Sequence, residues 1–217
     1  MKSSMLRKWL LFGIGIGILT FGSRMLLLAD IGIGGIDSVV VGLAKIFGGS
    51  FGLWIDIVSI TLIIIGAMLR KRLPQWQPIV TSLLLGLAYD VWGIILFNKL
   101  ILPQNEFIQG LAFLAGILIA PLGSAVYLSA HLSTSCVDYL MLAIHERFHL
   151  SIGISRNLIE AVFVITGYIV GGPIGLGTIM IMLLYGVILQ NYYKVIEKLL
   201  KRNRKVMHKI KNKRKHI

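Results

Sequence analysis

The chain alternates between long apolar stretches and short polar ones, and the apolar stretches approach the length of membrane spans. A helix needs about 20 apolar residues to cross about 30 Å of hydrocarbon. Six stretches come close to this length: Trp9–Leu28, Leu53–Leu69, Pro78–Phe97, Phe107–Leu128, Ile154–Val170 and Ile174–Tyr192. The pattern predicts an all-α polytopic membrane protein with about six transmembrane helices.

Two further apolar stretches, Gly35–Phe47 and Cys136–Phe148, are too short to cross a bilayer upright. They can be re-entrant half-helices that enter and leave the same face, or short tilted spans, and the pattern leaves both readings open. Irregular backbone at such turns is tolerated only inside protein or beside water. The depth of these two helices therefore matters for any mechanism.

The two halves of the chain match each other at a constant offset of 101 residues. When residues 10–66 are placed on residues 111–167 without a gap, Gly22–Ser23 meets Gly123–Ser124, and Asp37 meets Asp138. Chance readily produces matches at Leu and Ile in apolar helices, but not at these polar and small residues in one register. The alignment indicates an internal duplication. Each half is expected to read long helix, short helix, long helix, long helix.

Basic residues indicate how the two halves are oriented, because Lys and Arg concentrate in cytoplasmic loops. The chain has three basic groups, at its N-terminus, at residues 70–72 and beyond Lys194. Six spans with re-entrant short helices place all three in the cytoplasm, whereas eight spans place residues 70–72 outside. We therefore expect both termini inside and a three-plus-three inverted repeat. Secondary transporters share this plan, with a site near the midplane of the bilayer.

Composition supports a membrane protein, since 56% of the residues are hydrophobic and only 14% are charged. Soluble domains carry about 25% charged residues. An ordinary soluble enzyme, a disordered chain and a disulfide-stapled secreted domain are therefore excluded.

The net charge of +13 comes mainly from the C-terminus, because eleven of the 22 Lys and Arg residues lie between Lys194 and Lys215. A basic run directly after a membrane helix usually contacts the anionic cytoplasmic leaflet. We expect this partner rather than nucleic acid. The predicted organisation is a cytoplasmic N-terminus (1–8), a first membrane repeat (9–102), a second membrane repeat (107–192) and a basic cytoplasmic tail (193–217).

Asp37 and Asp138 are the first candidates for chemistry, because they occupy equivalent places in the two halves, each inside an apolar segment. An ionisable residue within a membrane is costly and therefore a functional candidate. The pair can bind a cation, relay a proton or face a polar substrate, or each Asp can cap a short helix. Asp90, within a predicted span, is a third candidate carboxylate.

Arg156 and Glu160 lie four residues apart on one predicted helix and can pair there. They are either a structural ion pair or part of a substrate site. The Gly-rich turn with Gly171, Gly175 and Thr178 joins two spans. Its backbone groups can line a pathway, or the turn can be a tight helical hairpin.

His145, Glu146 and His149 match the pattern H-E-x-x-H, which on a helix places two imidazoles on one face for zinc and a general base beside them. The match lies at the end of a short helix, has no clear third ligand, and has no ligand among its equivalents at residues 44–48. An intramembrane zinc protease is therefore the lesser alternative for this chain.

Several of these segments resemble the YczE/YyaS/YitT group of bacterial integral membrane proteins. The resemblance rests on Phe21–Ser23, on the Gly-rich turn and Asp in Ala29–Asp37, and in the second half on Asp138, Arg156–Glu160 and Gly171–Thr178. It covers about residues 8–192. The chain departs from the group at Ser133–Val137, where a turn containing Gly or Pro is usual.

The resemblance implies a transporter-like multi-pass protein of the bacterial cytoplasmic membrane, and one branch of the group is linked to secondary-metabolite production. We expect the chain to move a small solute or ion, without enzymatic activity or a cofactor. The expected binding residues are Asp37, Asp138, Asp90, Arg156, Glu160, Gly171, Gly175 and Thr178. The alternative is a non-catalytic membrane partner or accessory subunit, and a homo-oligomer is possible in either case.

Overall fold

The computed structural model describes the backbone of residues 2–49, 51–96 and 105–213, but not the side chains of residues 2–4, 51, 52, 90, 93 and 202–213. Within these ranges the chain forms eight α-helices and no strand. The helices are α1 (Lys2–Ala29), α2 (Gly35–Phe47), α3 (Phe51–Arg70), α4 (Gln77–Ile95), α5 (Glu106–Leu128), α6 (Cys136–Phe148), α7 (Ile152–Ile169) and α8 (Leu176–Lys213).

The all-helical polytopic architecture predicted from the hydrophobic pattern is confirmed. Five helices, α1, α3, α5, α7 and α8, are long and apolar enough to cross a membrane. In α4 the described apolar stretch is shorter, Gln77–Tyr89, so the sixth crossing stays a prediction. The short helices α2 and α6 have the bounds that the sequence predicts, and both have 13 residues.

Helices α1 and α5 pack against each other along most of their length and form the centre of the bundle. Gly15 lies against Tyr127 and Gly22 lies against Ala120, so the two helices run antiparallel. Four glycines make the close approach: Gly15, Gly22, Gly116 and Gly123. A Cβ atom at any of the four would collide with the other helix, so glycine is required there for packing.

Each short helix packs on the third helix of the other half, α2 on α7 and α6 on α3. Gly35 lies against Phe163 and Gly42 against Val170, so α2 runs parallel to α7. Gly66 of α3 lies against the Tyr139 ring of α6. The N-terminus of α2 therefore lies beside the middle of α7.

The turn after the first helix of each half has a left-handed residue at an equivalent position. Asp30 has φ 53° and His131 has φ 50°, and the two positions are 101 residues apart. Left-handed backbone is uncommon for residues other than glycine. The same local geometry therefore leads into both short helices.

Candidate functional site

The site begins at the N-terminus of α6, where Ser135 is the N-cap. Its hydroxyl accepts a hydrogen bond from the Asp138 amide (3.2 Å) and donates one to Asp138 Oδ2 (2.8 Å). This is the expected use of serine at a helix start. Ser135 is thus the cap, and Asp138 is the third helical residue, 3% exposed.

Arg156 of α7 connects two carboxylates from different helices. Its Nη2 donates to Glu160 Oε1 at 2.8 Å, and its Nη1 lies 3.4 Å from Asp138 Oδ1. Glu160 is 2% exposed, so the pair is well removed from solvent. The i,i+4 pairing predicted from the sequence is present, and Asp138 joins it from α6.

The N-terminus of α2 completes this group from the other half of the chain. The Gly35 amide donates to Glu160 Oε2 at 3.2 Å. Asp37, in the first turn of α2, lies close enough to interact electrostatically with Glu160 and Arg156. The first turns of both short helices therefore meet at one stretch of α7, and Asp37, Asp138, Arg156 and Glu160 form one charged group.

Two hydroxyl-bearing side chains support Arg156 from the centre of the bundle. Its guanidinium lies over the Tyr185 ring of α8, with the Cζ atom 4.7 Å from the ring centre. The Tyr185 hydroxyl is 2.9 Å from Ser124 Oγ of α5. A cation over an aromatic face is stabilised by the ring quadrupole. Tyr185 thus fixes the guanidinium between the two carboxylates.

The charged group contains three carboxylates and one guanidinium, so it carries an excess of negative charge when all are ionised. Each helix N-terminus contributes about half a positive charge, which offsets part of that excess. In a medium of low dielectric constant the remaining charge attracts a proton or a cation. Among the described residues, no three His, Cys, Asp or Glu side chains are grouped closely enough to hold a metal ion.

The glycine turn lies elsewhere, because it packs on the loop between α1 and α2. The Gly177 amide donates to the Ile31 carbonyl at 3.2 Å, and Gly175 lies against the same carbonyl. Thr178 is fully buried, and its hydroxyl accepts from the Gly175 amide at 3.3 Å. Gly171 has φ 70°, which favours glycine. Gly171, Gly175 and Thr178 thus form a tight hairpin beside α2 rather than part of the charged group.

Asp90 lies in α4, but its side chain falls outside the part of the chain that the structure describes. Its assignment to the site therefore stays a prediction.

The H-E-x-x-H segment does not form one continuous helical face. Helix α6 ends at Phe148, and His149 is the C-cap with left-handed backbone. His145 Nδ1 contacts the Leu150 carbonyl, and Glu146 pairs with Arg70 at 3.1 Å. The Glu146–Arg70 pair joins the end of α6 to the end of α3, and the His145 contact holds the turn after α6.

Sequence reasoning missed Ser135, Ser124, Tyr185 and the Gly35 amide. Ser135 carried a usable signal, because Ser followed three residues later by an acid indicates a helix start. Tyr185 and Ser124 carried only a weak one, as single hydroxyls in apolar helices. The Gly35 amide carried none, since backbone groups leave no trace in the sequence.

Comparison with known proteins places the chain among membrane proteins without an assigned activity. A family model described as a family of unknown function, DUF6198, matches residues 6–194. The uncharacterized protein YyaS of Bacillus subtilis is 31% identical over 200 residues, covering 91% of this chain and 98% of that protein. The uncharacterized membrane protein YczE of the same organism is 28% identical over 193 residues, covering 88% and 87%.

An uncharacterized protein of Haemophilus influenzae is 34% identical over 129 residues, which cover 57% of this chain and 59% of that protein. No solved structure matches the chain significantly.

Proposed function

Because the chain belongs to the DUF6198 family, whose function is unknown, we propose that it is a transporter that moves a small cationic solute, or protons, across the bacterial cytoplasmic membrane. The membrane location agrees with its similarity to the membrane protein YczE and with its five long apolar helices. The substrate class, the orientation of the helices in the membrane and the binding residues are all part of what we propose.

The arrangement of the helices supports an internal duplication with inverted halves. Helices α1 and α5 occupy equivalent places in the two halves and run antiparallel. A two-fold axis along the membrane normal would make equivalent helices parallel, whereas an axis in the membrane plane makes them antiparallel. We therefore propose six crossings, re-entrant α2 and α6, and both termini in the cytoplasm, with the basic tail at the anionic leaflet.

The observation that carries the proposal is the charged group at the first turns of α2 and α6. In secondary transporters, substrates and coupling ions bind where interrupted helices meet near the bilayer midplane. Here two short helices from opposite halves begin beside Arg156 and Glu160. Asp37, Asp138, Arg156 and Glu160 are the proposed binding residues.

The charges favour a cation over an anion. Arg156 is already held by two carboxylates, at 2.8 and 3.4 Å, so an anion would have to displace both. A proton or an organic cation would instead compete with Arg156 for Asp138 or Glu160, and Asp37 would add attraction. Binding that favours one arrangement of the two short helices would shift the balance between conformations, as transport requires.

Proton flux in proteoliposomes tests this proposal. Purified protein is reconstituted with pyranine inside, and a panel of small amines and guanidinium compounds is added outside. We expect at least one compound to change the luminal pH faster than in liposomes without protein, and Asp138→Asn to reduce that rate more than tenfold while the purified protein stays folded. The matched control is Asp56→Asn, because Asp56 is an acid of α3 that lies outside the charged group. Absence of flux with every compound would contradict transport of this class.

Cysteine labelling in intact cells tests the orientation. In a Cys136→Ala background, single cysteines replace Lys71 and Gln104. We expect Lys71→Cys to be protected from a membrane-impermeant maleimide and Gln104→Cys to react. The reverse pattern would place the loop after α3 outside the cell and contradict the proposed orientation.

A second candidate, an accessory subunit of a membrane complex, is favoured by one observation. Asp56 is exposed on α3, a helix apolar enough to cross a membrane. A carboxylate facing hydrocarbon is costly, so a partner helix there would relieve that cost. Stoichiometric co-purification of a second membrane protein that is lost with Asp56→Leu would favour this candidate.

A further inference from the structure

Helices α3 and α4 diverge and leave an apolar groove of about 200 Å³ between them. Its walls include Ile60, Ile63 and Ile64 of α3, Ile79 of α4, and the loop residues Pro74 and Trp76. The three α3 residues are spaced three and four apart, so they form one face of that helix. An acyl chain in the groove would contact apolar side chains of both helices.

The groove opens toward the outside of the bundle. Ile63 is buried, but Ile60 and Ile64 are 51% and 48% exposed. In a bilayer, hydrocarbon fills such an opening.

Cationic residues follow the α3 wall of the groove, about two helical turns beyond Ile64. Arg70, Lys71 and Arg72 end α3 and begin the loop that carries Trp76. Arg70 is turned inward, with Nη2 on Glu146 and its guanidinium over the Tyr139 ring at 4.5 Å. Lys71 and Arg72 are exposed, and neither forms an ion pair with a residue that the structure describes. These two charges are available to a ligand.

Trp76, in the wall of the groove and 67% exposed, is the residue type that concentrates at membrane interfaces. An apolar groove followed by cations on the same loop matches the two parts of a phospholipid, its chain and its phosphate. Basic pockets between membrane helices commonly bind anionic headgroups.

We propose that this groove binds one anionic phospholipid, with an acyl chain between α3 and α4 and the headgroup at Lys71 and Arg72. The second half of the chain has no such site, because α7 and α8 are joined closely and their turn, residues 170–175, contains no basic residue. One lipid per chain is therefore expected. This lipid site is independent of the proposed transport. It does not require the loop between α3 and α4 to lie on a particular face of the membrane.

Quenching of Trp76 fluorescence by brominated lipids tests the site. Trp9, Trp54 and Trp92 are replaced by Phe, so that Trp76 is the only tryptophan, and folding is checked by circular dichroism. The protein is reconstituted in phosphatidylcholine vesicles containing about a tenth of acyl-brominated phosphatidylglycerol or, in parallel, acyl-brominated phosphatidylcholine. We expect stronger quenching by the phosphatidylglycerol.

The charge dependence is measured in the same background. Each Lys or Arg near a membrane surface strengthens anionic-lipid binding about fivefold, so Arg72→Gln should lower the preference for phosphatidylglycerol about fivefold. Lys45→Gln, which removes an exposed cation at the end of α2, is the matched control and should leave the preference unchanged.

Two results would overturn the proposal. Equal quenching by the two brominated lipids would mean that ordinary bilayer lipid fills the groove without selection. Absence of quenching by either lipid would mean that protein, such as a second copy of the chain, covers it.

Discussion

The last two helices of the first half, α3 and α4, and the last two of the second half, α7 and α8, differ in how closely they pack. Helices α7 and α8 are tied together by the Asn157 side chain, which donates to the Leu183 carbonyl at 2.8 Å and accepts from the Gly186 amide at 2.9 Å. Gln190 adds a bond from the Gly153 amide at 2.9 Å. Helices α3 and α4 touch only slightly and leave the groove described above.

One aligned position contributes to this difference: where α7 has Asn157, α3 has Asp56. In α8, Gly186 lies against the Gly153 carbonyl of α7, whereas a Cβ atom at Gly86 of α4 would meet nothing within 4 Å. A glycine allows the backbones to approach, and an amide bonds to backbone N–H and C=O groups together, whereas a carboxylate only accepts. The pair α7 and α8 is thus closed and the pair α3 and α4 open, and only a few side chains make the difference.

Transplanting first-half residues into the charged group should have the largest effect. The equivalents of Arg156 and Glu160 are Ile55 and Ser59. Arg156→Ile should lower the free energy of unfolding by about 3–5 kcal/mol, because two buried carboxylates lose their partner. Arg156→Ile with Glu160→Ser should cost clearly less, since both charges leave together. Unfolding by sodium dodecyl sulfate in mixed micelles measures both, and an equal or larger loss in the double variant would contradict the pairing.

Closing the gap left by a glycine should come next. Gly186→Ala should lower the free energy of unfolding by about 3 kcal/mol, because the added Cβ would collide with the Gly153 carbonyl of α7. Gly86→Ala in α4 is the matched control, as its Cβ would meet nothing within 4 Å. There the gain in helix propensity should stabilise by up to about 1 kcal/mol. Similar effects at both positions would show that α7 and α8 are not in close contact.

Exchanging the amide for an acid should have a smaller effect. Asn157→Asp removes the donor to the Leu183 carbonyl and places a charge beside it, which should cost about 2 kcal/mol. The reciprocal change Asp56→Asn should leave the free energy of unfolding unchanged or slightly raised, because Asp56 is exposed. The same micelle titration compares the two, and a loss in both would mean that α3 and α4 also depend on this position.

The smallest effect is expected at Gln190. Gln190→Leu removes the acceptor for the Gly153 amide and should cost about 1 kcal/mol. Hydrogen exchange at Gly153, followed by mass spectrometry, should accelerate while exchange in α1 and α5 stays unchanged. Uniform acceleration across all helices would instead indicate global destabilisation.

The sequence predicted the fold better than it predicted the contacts. Hydrophobic length was sufficient to give the bounds of α2 and α6, and the resemblance to YyaS and YczE is confirmed by the matches to those proteins. Charges in apolar segments stand out in a sequence, so Asp37, Asp138, Arg156 and Glu160 could be chosen as candidates, and their role in binding stays a prediction. The resemblance could not carry an activity, because the matched relatives have none assigned.

The pairing of helices could not be predicted in the same way. A helix that is hydrophobic on all faces has no periodicity to show which face meets a neighbour. The packing of α2 on α7 and of α6 on α3 was therefore out of reach, and with it the meeting of Asp138 with Arg156. For the glycine turn the sequence left two readings open, a pathway lining and a tight hairpin, and the structure shows close packing on the loop after α1.

The unbroken length of α8 connects the charged group with the basic end of the chain through one continuous helix. Its 38 residues extend about 57 Å at 1.5 Å per residue, against about 30 Å for the hydrocarbon layer. A helix of this length that crosses the hydrocarbon layer extends beyond it by nearly half of its own length. Tyr185, under Arg156, lies in the membrane part of the same helix, so a change in the tilt of α8 by about 10°, modest for a membrane helix, would move its basic end by about 10 Å. A small displacement of Tyr185 by the Arg156 guanidinium would thus become a larger displacement of the basic end of α8.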